Sequence, residues 1–177
     1  MDYIDVLAQG LGLVGMALAF CSFQAKKNSG FFVLQGLSGL AFALNFLLIG
    51  AYAGCAMNAV NVIRGVLFKN GDKKKYKLVV VELLYALSVL LPIMLSANGL
   101  GQIILSIVVL IAQLSNSVVM WMGSGKHIRY LQFALVSPAW LVYDVVNFSL
   151  GGILCEAFNM VSVIVSFIRY GKDGFEK

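Results

Sequence analysis

Charge is what this sequence has least of, and its uncharged stretches decide its class. Only 12% of the 177 residues are Asp, Glu, Lys or Arg, against about 25% in soluble domains. Mean hydropathy is +0.90, so the chain could not clothe a water-facing surface and a soluble globule is excluded. Proline occurs twice, at Pro92 and Pro138, which leaves most helices uninterrupted. The three cysteines, Cys21, Cys55 and Cys155, lie in or beside apolar segments. They read as small buried residues, with a Cys55–Cys155 bridge as the minor alternative. His127 is the single histidine and sits beside Lys126, which argues against metal chemistry. There is no HExxH, no GxSxG and no phosphate loop, so neither an enzyme nor a cofactor is expected. A cleavable signal peptide is not expected either, because Asp2 and Asp5 stand where its basic region would be.

What is present is a distribution of basic residues. Lys and Arg fall into four stretches: Lys26–Lys27; Arg64 with Lys69, Lys73, Lys74, Lys75 and Lys77; Lys126–Arg129; and Arg169, Lys172 and Lys177. Two apolar segments separate each stretch from the next, which is the positive-inside pattern of a polytopic membrane protein. Apolar segments fall at 5–24, 31–49, 51–68, 78–97, 101–122, 128–148 and 152–168, giving seven spans with the N-terminus outside and the C-terminus cytoplasmic. The outer loops, Gly50–Gly54, Ser96–Gly101 and Ser149–Gly152, are short and uncharged. The net charge of +5 belongs to the inner loops and to anionic headgroups. The lipid bilayer is therefore the partner, not nucleic acid, and a homo-oligomer stays open.

Shifting the chain by 98 residues lays span 1 on span 5, span 2 on span 6 and span 3 on span 7, leaving span 4 unpaired. Gly54, Asn58 and Asn61 then match Gly152, Glu156 and Asn159 with identical spacing, Phe42 matches Trp140, and Asn45 pairs in register with Tyr143. Each trio shares one helix face. The layout predicts an all-α protein of two parallel three-helix bundles joined by a linker helix. The first bundle covers residues 1–70, the basic loop and linker 71–99, and the second bundle with its tail 100–177.

Asn61 and Asn159 fall near mid-span, where an unsatisfied amide is costly. An interhelical hydrogen bond is the plain explanation for either alone. Two at matching depth, each with an aromatic on the neighbouring span, outline a cavity between Phe42 and Trp140. Asn58, and Gln113 and Asn116 on span 5, extend the polar lining. Asp144 and Glu156 lie in the outer halves of spans 6 and 7 without a basic residue at that depth, as groups that carry a proton, bind a cation or line a wet vestibule. Glu82 and Arg64 lie about one turn inside the membrane and read as snorkelling or paired. Pro138 frees a backbone carbonyl in span 6 and is the candidate hinge.

The chain resembles the YgjV-type family of small bacterial inner-membrane proteins. The residues that carry the resemblance are Leu7-Ala8-Gln9-Gly10-x-Gly12, Asn45-Phe46-x-Leu48-x-Gly50-x-Tyr52, Asn61-x-x-Arg64, Trp140, Ser149-Leu150-Gly151-Gly152, Glu156 and Ile168-Arg169. Asn45 departs from members with His there. More distantly, the layout is similar to the SWEET and PQ-loop transporter class, a parallel repeat, although the Pro-Gln dipeptide is absent. That resemblance implies pocket roles for Asn61, Asn159, Phe42 and Trp140. The reading is a transporter of a small polar solute working by alternating access, against the alternative of a non-transporting scaffold, subunit or sensor.

Overall fold

The computed structural model describes residues 3–23, 28–95, 99–123 and 125–170. Lys26, Lys27, Lys172, Lys177 and positions 96–98 of the Ser96–Gly101 loop lie outside the described residues. The described chain is helical throughout its elements: α1 Tyr3–Phe23, α2 Asn28–Leu48, α3 Tyr52–Phe68, α4 Lys75–Leu95, α5 Leu100–Met122, α6 Gly125–Leu131, a π-helical segment Gln132–Val136, α7 Ser137–Val146 and α8 Leu150–Tyr170. Because α6, the π segment and α7 follow one another directly, they form one rod, and the rods number seven.

Away from water a backbone is satisfied either within a helix or within a closed barrel of strands, and the described residues take the helical route. The 21 residues of α1 reach about 30 Å, the thickness of a hydrocarbon core. Tyr3–Ser22, Lys75–Met94 and Leu100–Met122 are long and apolar enough to cross a membrane, and Val33–Leu48 and Leu150–Val165 are shorter apolar helices. Along α4, Val79, Leu83, Leu87, Leu90 and Met94 are exposed, a contiguous apolar face suited to lipid.

Helices that follow one another in sequence pack together: α1 on α2, α2 on α3, α5 on α6 and α7, and α7 on α8. Two further contacts, α3 on α5 and α8 on α1, close the set, and α4 rests on α3 and α5. Phe46, Met57, Tyr85, Val109, Trp140 and Tyr143 join five of these rods in one core. At the α1–α8 contact the backbones nearly touch: a Cβ on Gly151 would stand 2.1 Å from the carbonyl carbon of Gly12. Small residues permit such an approach.

The turns after α2 and α7 match bond for bond at the 98-residue offset. Ile49 donates to Asn45, Gly50 to Leu47, Ala51 to Phe46 and Cys55 to Ala51; in the second copy Asn147 donates to Tyr143, Phe148 to Val145, Ser149 to Asp144 and Ile153 to Ser149. The left-handed position is Gly50 (φ +77°) in one turn and Phe148 (φ +55°) in the other. Phe148 is the more strained occupant, and Gln9 clamps it, accepting from the Leu150 N–H at 2.9 Å and donating to the Phe148 carbonyl at 2.7 Å. These turns are tighter than the expected loops Gly50–Gly54 and Ser149–Gly152. Helix α3 starts at Tyr52 and α8 at Leu150, because bonds reaching back into the preceding helix let the next one begin at once.

At the opposite end, the Lys77 ammonium donates to the Leu67 carbonyl at 2.8 Å and to the Asp72 carboxylate, with Lys74 at 3.7 Å. The Lys77 bond, foremost among these causes, holds the Asp72 carboxyl below its ordinary range. Its contribution to loop order is therefore present above the ordinary aspartate range and is lost as pH falls through the lowered value.

Two outcomes are expected. In an NMR titration Asp72 titrates below the ordinary value of about 3.9, and Lys77→Gln moves it up toward that value; a midpoint indifferent to Lys77 contradicts the clasp. Gly151→Ala lowers stability by about 1–3 kcal/mol through overpacking. Gly10→Ala, where a Cβ meets nothing within 4 Å, is neutral or slightly stabilising. Thermal unfolding of the two variants in one detergent compares them.

Candidate functional site

A cavity of about 340 Å³ lies toward the end that carries the basic loops. Its walls come from α1, α2, α3, α5, the α6–π rod and α8. Five residues singled out in the sequence line it: Phe42, Asn58, Asn61, Gln113 and Asn116. They come together because the shared face of Asn58 and Asn61 on α3 meets the Gln113–Asn116 face of α5. Asn58 also donates to the Gly54 carbonyl of its own helix at 3.0 Å.

Arg64 lines the same cavity and is only 8% exposed, so it does not snorkel. One guanidinium nitrogen, Nη1, donates to Gln113 Oε1 at 3.1 Å and to Ser117 Oγ at 3.3 Å. The guanidinium carbon lies 5.7 Å from the centre of the Tyr85 ring. The Tyr85 hydroxyl in turn donates to Asn61 Oδ1 at 2.5 Å. Arg64 forms no salt bridge among the described residues, its Nε has no acceptor, and the buried Asn116 Oδ1 has no donor. Arg64 and Tyr85 are the residues that sequence reasoning undervalued. The available signal was position: Arg64 follows Asn61 by one helical turn on the same face.

The remaining sequence candidates lie around the cavity rather than in its lining. Pro138 has no N–H to give, and its ring crowds the carbonyl four residues back. The rod answers with the π segment, in which the Ser137 N–H reaches Gln132 O. This places Gln132, a lining residue, to donate to Ser137 Oγ at 3.0 Å, while Ser137 donates to Glu156 Oε2 at 2.6 Å. Asn159 donates to the same oxygen at 3.3 Å. Glu156 and Asn159 are thus a pair on α8, joined to the cavity through two side chains. Asp144 is fully enclosed, with its carboxylate against Gly152, where a Cβ would come within 2.5 Å, and its Oδ1 has no partner.

Trp140 sits deeper, in an aromatic cluster with Phe46 and Tyr143 whose ring centres are 5.6–5.8 Å apart. Above that cluster the glycine-turn end is closed by hydrogen bonds. The Tyr143 hydroxyl accepts from the Gly54 N–H at 2.9 Å. Asn45 donates to the Ala8 carbonyl at 2.7 Å and accepts from Ser149 Oγ at 2.8 Å. Asn45 and Tyr143 stand 98 residues apart; Asn45 on α2 reaches the start of α8, and Tyr143 on α7 reaches the start of α3. Gly54 lies in the first turn of α3, where helix N–H groups have no intrahelical acceptor. Tyr143 supplies one.

Tyr143→Phe leaves that buried N–H without its partner, and the expected loss is about 1–3 kcal/mol. Exposed Tyr52→Phe, measured in parallel by thermal unfolding, leaves stability unchanged. Equal behaviour of the two variants contradicts the bridging role.

The chain was also compared with known proteins. No curated protein and no solved structure matches it. A family model does, over residues 6–173, nearly the whole described chain. The protein belongs to the Imp-YgjV family, a family of bacterial inner membrane proteins.

Proposed function

We propose that this protein moves a small polar solute across the inner membrane by alternating access. The seven rods act as spans in two parallel three-helix bundles linked by α4, in a SWEET-like layout, with the N-terminus outside and the basic end in the cytoplasm. One observation carries the reading: a cavity lined in part by amides and Arg64 lies toward the basic end, while at the opposite end hydrogen bonds tie α2 to the start of α8 and α7 to the start of α3. A bundle whose amides served only as glue would have no reason to keep them around a void while sealing one end alone. The bond-for-bond match of the two turns supports the repeat, and positions 45 and 143 are the gate it implies. Asn61, Asn58, Gln113 and Asn116 contact the solute, with Phe42 as an apolar wall. Glu156, reached through Gln132 and Ser137, is the carboxylate placed to couple a proton or cation to occupancy. The π segment above Pro138 is the hinge, as π bulges often mark moving sites.

Access is testable without knowing the solute. In a background lacking Cys21, Cys55 and Cys155, Met120→Cys places a thiol in the cavity wall. A membrane-impermeant maleimide is expected to label it in inside-out vesicles and far less in right-side-out ones. Combining Asn45→Ala with Tyr143→Phe opens the sealed end and raises labelling from outside. No labelling from either side is the result of a packed scaffold and refutes transport.

A further inference from the structure

We infer that the cavity takes a small organic monoanion, a carboxylate above all, with Arg64 as its counter-charge. This rests on the cavity being a solute site and adds the chemical class of the solute. Among the described residues that line the cavity, Arg64 is the single charged side chain. Its bonding partners, Gln113 and Ser117, are neutral, and Ser117 Oγ is itself tied to the Gln113 carbonyl at 2.9 Å. They hold the guanidinium in place and do not neutralise it.

Among the described residues no carboxylate is in contact with it. Helices α2, α3 and α5 contain no Asp or Glu, and α4 has Glu82 alone. Glu82 feels the Arg64 charge from a distance, but it does not line the cavity, forms no salt bridge with Arg64 among the described residues, and leaves its own Oε1 without a partner. Tyr85 presents its ring to the guanidinium, a contribution far smaller than a carboxylate's.

An enclosed charge with no carboxylate in contact is costly, and an anion entering the cavity removes that cost. One guanidinium selects one negative charge, and its planar fork fits a carboxylate. The Asn116 Oδ1 that lacks a donor is placed to accept from a hydroxyl on the solute. Val62 and Met120 face its carbon body. A volume of about 340 Å³ is at the small end of ligand pockets, which run to about 1,000 Å³.

The experiment uses the full chain in phosphatidylcholine nanodiscs, where no anionic headgroup competes. Thermal unfolding is followed with propionate, lactate and benzoate, each against propionamide, lactamide and benzamide at equal ionic strength. At least one carboxylate is expected to raise Tm where its amide does not. Arg64→Gln weakens that carboxylate about 10- to 100-fold, as loss of a charged hydrogen bond does, and Arg64→Lys retains part of the preference. If Arg64→Gln does not fold, the wild-type pairs and the Lys variant decide the matter. Amides matching their carboxylates throughout overturn the anion assignment and leave the solute site standing. Phosphatidylglycerol in the bilayer that reproduces the stabilisation and abolishes the carboxylate effect makes Arg64 a headgroup site and also overturns it. Carboxylate binding together with failed thiol access refutes transport but not the anion.

Discussion

The hydroxyl of Tyr143 accepting the Gly54 amide is the contact on which the asymmetry of this bundle depends. Helix α3 needs an acceptor for its first-turn N–H groups, and α7 supplies one from the other half of the chain. Asn45, 98 residues earlier, accepts from Ser149 at the start of α8. Together these bonds draw the four central rods together at one end, with Phe46, Trp140 and Tyr143 packed directly beneath. The close approach of Gly12 and Gly151 completes the seal on the α1 side. Toward the other end the described crossing bonds are those of Arg64 to Gln113 and Ser117, and they leave the amides and Arg64 around a void.

Much of this was legible in the sequence, for a physical reason. A two-turn architecture with strict depth rules leaves its mark on spacing, and the 98-residue offset that aligned Gly54-Asn58-Asn61 with Gly152-Glu156-Asn159 also aligns the hydrogen bonds of the two turns. Depth and helix face follow from periodicity, so Phe42, Asn58, Asn61, Gln113 and Asn116 were found on the cavity wall. Which helix a given face meets is not periodic information. Trp140 turned out to pack on Phe46 and Tyr143, and Asn159 to bond Glu156, because α8 presents that face to the Ser137 region of the α6–α7 rod. Pro138 announced an irregularity but not its form. The π segment inserts an extra residue into the turn and so rotates Gln132 into contact with Ser137, which no 3.6-residue pattern foretells. Arg64 was expected to snorkel or pair, because an arginine one turn from a helix end has an easy route to the interface; here Gln113 and Ser117 hold it inside.

The two carboxylates of the second half have different surroundings. Asp144 is enclosed against Gly152, near the glycine-turn end, with its Oδ1 unpartnered. Glu156 is connected by Ser137 and Gln132 to the cavity wall, within the one segment of the bundle that departs from α-helical geometry. Charge at the cavity therefore comes from the first half, through Arg64, and the second half contributes a carboxylate held one relay away.

Water contact distinguishes this account from a packed bundle. In lipid bilayers, water-to-protein polarisation transfer by solid-state NMR reports which side chains touch mobile water. The account predicts rapid transfer to the side chains of Arg64, Asn61 and Asn116 and slow transfer to those of Asn45 and Tyr143. Slow transfer to all five, or equal transfer at both ends, would contradict a cavity that opens at one end only.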